Sequence, residues 1–151
     1  MIKIVDGDIL QASEKLVVHQ VNCMGVMGGG IALQIRKQFP KVYVEYKRLC
    51  SHTEPKQLLG TIQCVQDDID KVFVNVFGQL GYGRNTQYTD YNALRKGLKT
   101  VCSIAKQYNI SVAIPYLIGC GLAGGSWDIV YSMIEEVFHD YDVTLYRWEV
   151  K

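Results

Sequence analysis

Val17-Val18-His19-Gln20-Val21-Asn22-Cys23-Met24-Gly25-Val26-Met27-Gly28-Gly29-Gly30-Ile31-Ala32 passes from an apolar run through four glycines into a helix start. The run Leu16–Val21 suits a buried strand, and Ile31, Ile35 and Phe39 recur at helical spacing until Pro40 ends the segment. A strand that opens into glycines ahead of a helix leaves successive backbone N–H groups unpaired and lets a ligand approach the main chain, which is the geometry of a phosphate cradle. A second loop of the same character, Ile118-Gly119-Cys120-Gly121-Leu122-Ala123-Gly124-Gly125, also joins an apolar run to a helix start. The pair predicts two walls of one cleft.

Outward from these loops the chain alternates. Ile2–Val5 predicts a first strand ending at Asp6-Gly7-Asp8-Ile9, where Asp8 serves either a simple turn or a ligand. Val42, Tyr46 and Leu49 mark a second helix, and the polar stretch Ser51–Gln57 with Pro55 predicts a loop. Thr61–Val65 and Val72–Val76 flank an acidic turn at Asp67–Asp70 and predict an antiparallel hairpin. Phe77–Tyr88 carries three glycines, two tyrosines and Arg84, the composition of a lid or ligand wall. Thr89 is the expected N-cap of a helix with Leu94, Leu98, Val101 and Ala105 on one face. Ser111–Leu117 predicts a central strand whose Pro115 removes one ladder donor, hence a bulge or strand end. Ser126 caps a helix with Trp127, Val130, Ile134 and Val137, and Val143–Val150 alternates as a closing strand.

Alternating strands and helices predict an α/β sandwich around a mostly parallel sheet, the hairpin making it mixed. Ligands in such sheets sit beyond the carboxyl ends of the strands, where all three glycine loops begin. The 151 residues, 48% hydrophobic and 21% charged, suit one globular domain spanning 1–151. A net charge of +1 offers no global field for nucleic acid or an anionic membrane, so any anion is held locally. Five cysteines without C-x-x-C spacing and three scattered histidines argue against a metal cage, and neither metal nor cofactor is expected. Acidic residues close to Met1, and no apolar run of membrane-spanning length, predict a cytoplasmic protein with reduced thiols and no membrane partner.

The glycine pattern is not G-x-G-x-x-G, and no Gly-Lys-Ser/Thr follows, which excludes a Walker A loop. Cys120 between glycines is either a nucleophile or a packed thiol behind backbone donors. His19, alone in an apolar strand, is either a satisfied core residue or a base.

Taken together, Asp6-Gly7-Asp8-Ile9, Val17–Asn22, Met27–Ala32, Ile114-Pro115 and Gly119-Cys120-Gly121-Leu122 resemble, in order and spacing, the motif set of macrodomains, and among them the ALC1-like subgroup. The resemblance implies a three-layer α/β/α sandwich that binds ADP-ribose, free or attached to protein or nucleic acid. It places Asp8 against the adenine amino group with Ile9 beside it, Asn22 on the distal ribose, and Tyr146 on the adenine side. Amides of Gly28, Gly29, Gly30 and Ile31, and of Gly119, Cys120, Gly121 and Leu122, would enclose the diphosphate and distal ribose. The catalytic lysine of that subgroup falls at Gln79 and its acidic residue at Ala123, so chemistry through a lysine adduct is not implied here.

Two functions follow from that resemblance. One is hydrolysis of an ADP-ribose derivative (a 1″-phosphate, an acetyl ester or a macromolecular adduct) with His19 as base, Asn22 orienting ribose or water, Asp90 as a further acid or base, and Arg84 neutralising phosphate. The other is a module that reads ADP-ribose without altering it.

Overall fold

The computed structural model describes residues 1–148. Six strands, β1 (Ile2–Asp6), β2 (Leu16–Val21), β3 (Ile62–Gln66), β4 (Val72–Phe77), β5 (Val112–Pro115) and β6 (Val143–Arg147), form one sheet in the order β1-β6-β5-β2-β4-β3. All neighbours run parallel except β3, which pairs antiparallel with β4 as the hairpin reading predicts. The sheet is therefore mixed.

Period-two side-chain alternation divides β2 between two cores. Val18 faces the layer of α4 (Tyr91–Tyr108) and α5 (Trp127–Val137), whereas Val17 and Val21 face α1 (Gly30–Gln38) and α2 (Pro40–His52). Helices on both faces make three α/β/α layers. Leu94, Leu98, Val101 and Ala105 are completely buried along one stripe of α4, and each of the larger ones contributes roughly 1.5–3 kcal/mol by leaving water.

Three local expectations change. Asp90, not Thr89, caps α4: its carboxylate accepts from Ala93 N at 3.0 Å, while Thr89 is turned inward. The stretch Ser51–Gln57 is not a continuous loop, because α2 runs to His52 and a one-turn helix, α3 (Pro55–Leu58), follows. Pro55 sits in its first turn, where the absent N–H costs nothing, so the proline starts a helix there instead of breaking one. The closing strand ends at Arg147, Trp148 lies beyond it, and the expected continuation through Glu149 and Val150 falls outside the described residues. Pro115 terminates β5, the strand-end alternative raised by its missing N–H.

Candidate functional site

Five parallel strands point their carboxyl ends to one side, and a cavity of about 710 Å³ lies across those ends. Its wall is assembled from residues following each strand: Asp8 and Ile9 after β1, Tyr146 and Trp148 at the end of β6, Pro115–Gly119 at β5, His19 and Gln20 within β2, and Gln79 after β4. The two glycine loops meet over this space. A Cβ on Gly29 would lie 2.7 Å from Leu122 Cδ1, so a side chain there would have to displace the tip of Leu122 from the opposite wall. The lid loop is tied to the second wall, since Tyr88 N and Thr89 N both donate to the Ala123 carbonyl, at 2.7 and 3.1 Å.

Among the described residues, no lysine or arginine lines the cavity. An anion there is held by main-chain donors. The helix α1 begins at the cavity wall with its N-cap Gly29 lacking any side-chain acceptor, so its first amides point outward with the positive end of the helix dipole. Across the gap, the amides of Gly121, Leu122 and Ala123 make no hydrogen bond among the described residues. Two sets of N–H groups unpaired among the described residues therefore stand in loops that border one space, the kind of arrangement a diphosphate uses.

At the β1/β6 edge, one Asp8 oxygen accepts from Leu10 N at 2.9 Å and caps a 3-10 turn at Ile9–Gln11, so turn and cavity wall are both served by this residue. The Tyr146 hydroxyl donates to Glu14 at 2.6 Å, which fixes its ring beside the cavity; burial and the neighbouring carboxylate push that phenol up to about 12.

Beneath the loops, His19 is 1% exposed and lines the cavity. Its Nε2 lies 2.5 Å from Asn75 Oδ1, and its Nδ1 has no partner among the described residues. Burial depresses the imidazole from its ordinary 6.5 to about 4, so the ring is neutral at physiological pH. Gln20 Nε2 donates to Gln79 Oε1 at 2.8 Å and to Thr89 Oγ1 at 2.9 Å, leaving Gln20 Oε1 buried without a partner.

Several expected site residues stand elsewhere. Asn22 is buried within the first glycine loop, where Oδ1 accepts from Met24 N and from the Tyr46 hydroxyl and Nδ2 donates to the Val26 carbonyl. Its amide is consumed in shaping that loop and does not line the cavity. Asp90 is likewise spent on the α4 cap and stands outside the wall. Arg84 is exposed on the lid loop, away from the lining, and Gly28 also lies outside it. Cys120 turns its thiol to the Ile118 carbonyl at 3.4 Å, and burial raises it to about 11, the state of a packed thiol and not of a nucleophile. Conversely, Gln20, Asn75 and Trp148 carry more of the site region than sequence reading assigned them. The available signals were a polar residue near the carboxyl end of β2 and a lone Asn inside the apolar strand Val72–Phe77.

Comparison with known proteins places this geometry. The Macro domain family model matches residues 18–134. The chain is 32% identical over 151 residues to a DNA ADP-ribosyl glycohydrolase of Mycobacterium tuberculosis, covering 97% of this chain but 42% of that protein. It is 34% identical over 176 aligned positions to an ADP-ribose 1″-phosphate phosphatase of Candida glabrata, covering 95% of this chain and 96% of the other. Among solved structures, the macrodomain of Mycobacterium tuberculosis DarG superposes with a TM-score of 0.82 at 27% identity, over 100% of this chain and 99% of that one. The chain thus spans under half the length of the glycohydrolases it matches and nearly all of the phosphatase. The family match, the six-stranded mixed sheet and the paired amide walls agree, and the chain belongs to the macrodomain family.

Proposed function

We propose that the cavity binds ADP-ribose and that the protein hydrolyses an ADP-ribose derivative at the distal ribose, water releasing ADP-ribose from the phosphate, acetyl or macromolecular group attached to that ribose. The observation that carries this reading is the convergence of two glycine loops, each with unpaired amides, on one space that also holds a carboxylate at one end and two orphan acceptors deeper in. In this reading Asp8 accepts from the adenine amino group, Tyr146 and Trp148 bracket the base, and amides of Gly29–Ile31 and Gly121–Ala123 hold the diphosphate. His19, neutral and buried, serves as an acceptor toward the sugar. The names of the two relatives support a hydrolase acting on an ADP-ribosyl adduct or a 1″-phosphate. The resemblance aligns Gln79 and Ala123 with the lysine and acid of its subgroup, and on that alignment direct attack of water is favoured over a lysine adduct.

The test is calorimetry with ADP-ribose, followed by incubation with ADP-ribose 1″-phosphate, O-acetyl-ADP-ribose, and ADP-ribosylated DNA and protein. Released ADP-ribose from any of them supports the hydrolase. Tight binding without turnover assigns a reader, which the absent lysine and acid would then explain. Asp8→Ala is expected to weaken ADP-ribose about tenfold or more while the fold persists, as loss of one charged hydrogen bond requires. Unchanged affinity would remove Asp8 from the site.

A further inference from the structure

A polar ladder runs sideways through the sheet beneath the cavity. His19 and Asn75 are register partners across β2 and β4, and Asn75 and Gln63 are partners across β4 and β3. His19 Nε2 meets Asn75 Oδ1 at 2.5 Å, Asn75 Nδ2 meets Gln63 Oε1 at 3.0 Å, and Gln63 Nε2 meets the Glu45 carbonyl at 3.1 Å. The direction of every bond follows from the last member. A main-chain carbonyl only accepts, so Gln63 turns its NH2 to Glu45 and its oxygen to Asn75. Asn75 must then turn its NH2 to Gln63 and its oxygen to His19, and His19 must donate from Nε2. A neutral imidazole carries one ring proton. With that proton on Nε2, Nδ1 is a bare lone pair.

A second chain of bonds, on the opposite face of β2, ends the same way. Gln79 Nε2 donates to the Gly81 carbonyl and Thr89 Oγ1 donates to the Gly119 carbonyl, at 2.8 and 2.7 Å. Both residues then need a donor at their remaining oxygen sites, and Gln20 Nε2 supplies it to both. Gln20 Oε1 is left over. Adjacent cavity-lining residues of one strand, oriented by unrelated sets of main-chain carbonyls, therefore each carry a buried acceptor without a partner among the described residues. A buried acceptor left so costs about 1–3 kcal/mol until a donor arrives.

The geometry points to Asn75 and Gln63 as positioning residues that hold His19 in its Nε2–H tautomer, so that His19 Nδ1 is a fixed acceptor for a hydroxyl of the bound sugar, while Gln20 Oε1, on the opposite face of β2, awaits a different donor. A phosphate oxygen, which only accepts at neutral pH, is thereby turned away from these two atoms. The identity of the sugar rests on the ADP-ribose reading; the tautomer does not.

The decisive measurement is the imidazole nitrogen spectrum of ligand-free, 15N-histidine-labelled protein at neutral pH. His52 and His139 are exposed, which leaves His19 as the one buried histidine of the three. A protonated Nε2 with a bare Nδ1 is expected. A proton on Nδ1 instead, or on both nitrogens, overturns the proposal, and this reading needs no variant to fold. Asn75→Asp keeps an acceptor for Nε2–H but sets a carboxylate against the ring, so His19 is expected to become doubly protonated and ADP-ribose affinity to fall about tenfold. Gln63→Leu, at a half-buried position, removes the anchor; the second tautomer is expected to appear, with affinity about threefold weaker. Tautomer and affinity unchanged in both variants would refute the positioning role. Wild-type protein that shows the expected tautomer yet fails to bind ADP-ribose would sink the ligand assignment and leave the ladder standing.

Discussion

Asn22 shows how a single side chain can serve a site without lining it. Its Oδ1 takes bonds from Met24 N and the Tyr46 hydroxyl at 2.9 and 2.8 Å, and its Nδ2 closes on the Val26 carbonyl at 2.8 Å. Tyr46 is completely buried, so its hydroxyl has no water to turn to. Asn22→Ala is expected to lower stability by about 1–3 kcal/mol, by stranding the Met24 N–H and the Val26 carbonyl while the Tyr46 hydroxyl keeps the Asn22 main-chain carbonyl, and to weaken ADP-ribose by disordering the loop. Urea unfolding and calorimetry on the same variant separate the two effects; lost affinity at unchanged stability would return Asn22 to direct ligand contact. Asn22 was marked as a site residue by the macrodomain resemblance alone. That its amide points into the loop depends on Tyr46, twenty-four residues away on α2, and no local pattern announces that encounter.

Among the elements, the second glycine loop is the most constrained. Gly124 has φ +74, and a Cβ there would meet the Thr86 carbonyl oxygen at 2.6 Å. Backbone cannot yield as a side-chain tip can. Gly124→Ala is expected to cost roughly 1–3 kcal/mol in unfavourable φ and to push the lid loop off the Ala123 carbonyl, which faster hydrogen exchange at Tyr88 and Thr89 would report. Protection unchanged at those two amides would show that the lid is held by other contacts. The glycine clusters were legible in the sequence as loops between strand and helix. Their contact with each other and with the lid was not, because Gly29 meets Leu122 and Gly124 meets Thr86 only once β2, β4 and β5 lie side by side.

For the molecule as a whole, the buried histidine couples stability to pH. Folding moves His19 from its ordinary 6.5 to about 4, so between those values the unfolded chain binds a proton that the folded one refuses. Its contribution is fully present above pH 6.5 and is lost as pH falls through that window toward 4, with a total of roughly 3 kcal/mol from about 1.4 kcal/mol per pH unit. Urea midpoints at pH 7 and pH 4.5 should differ more for the wild type than for His19→Gln, whose amide does not titrate. Equal differences would show that the imidazole is solvated.

Apolar periodicity and glycine placement by themselves determined the strand and helix order, the mixed α/β class and the loops that carry the site, because those signals are local and repeat within a few residues. Backbone turns such as the one at Pro55 depended on position within the turn more than on composition, and were misread as loop. Only the tertiary structure decided which polar side chains look into the cavity and which are consumed beside it. Hydrogen-bond direction at His19 and Gln20 is dictated by carbonyls of Glu45, Gly81 and Gly119, which the chain delivers from separate elements. A bond between distant groups fixes a proton's place only after folding has brought both ends together.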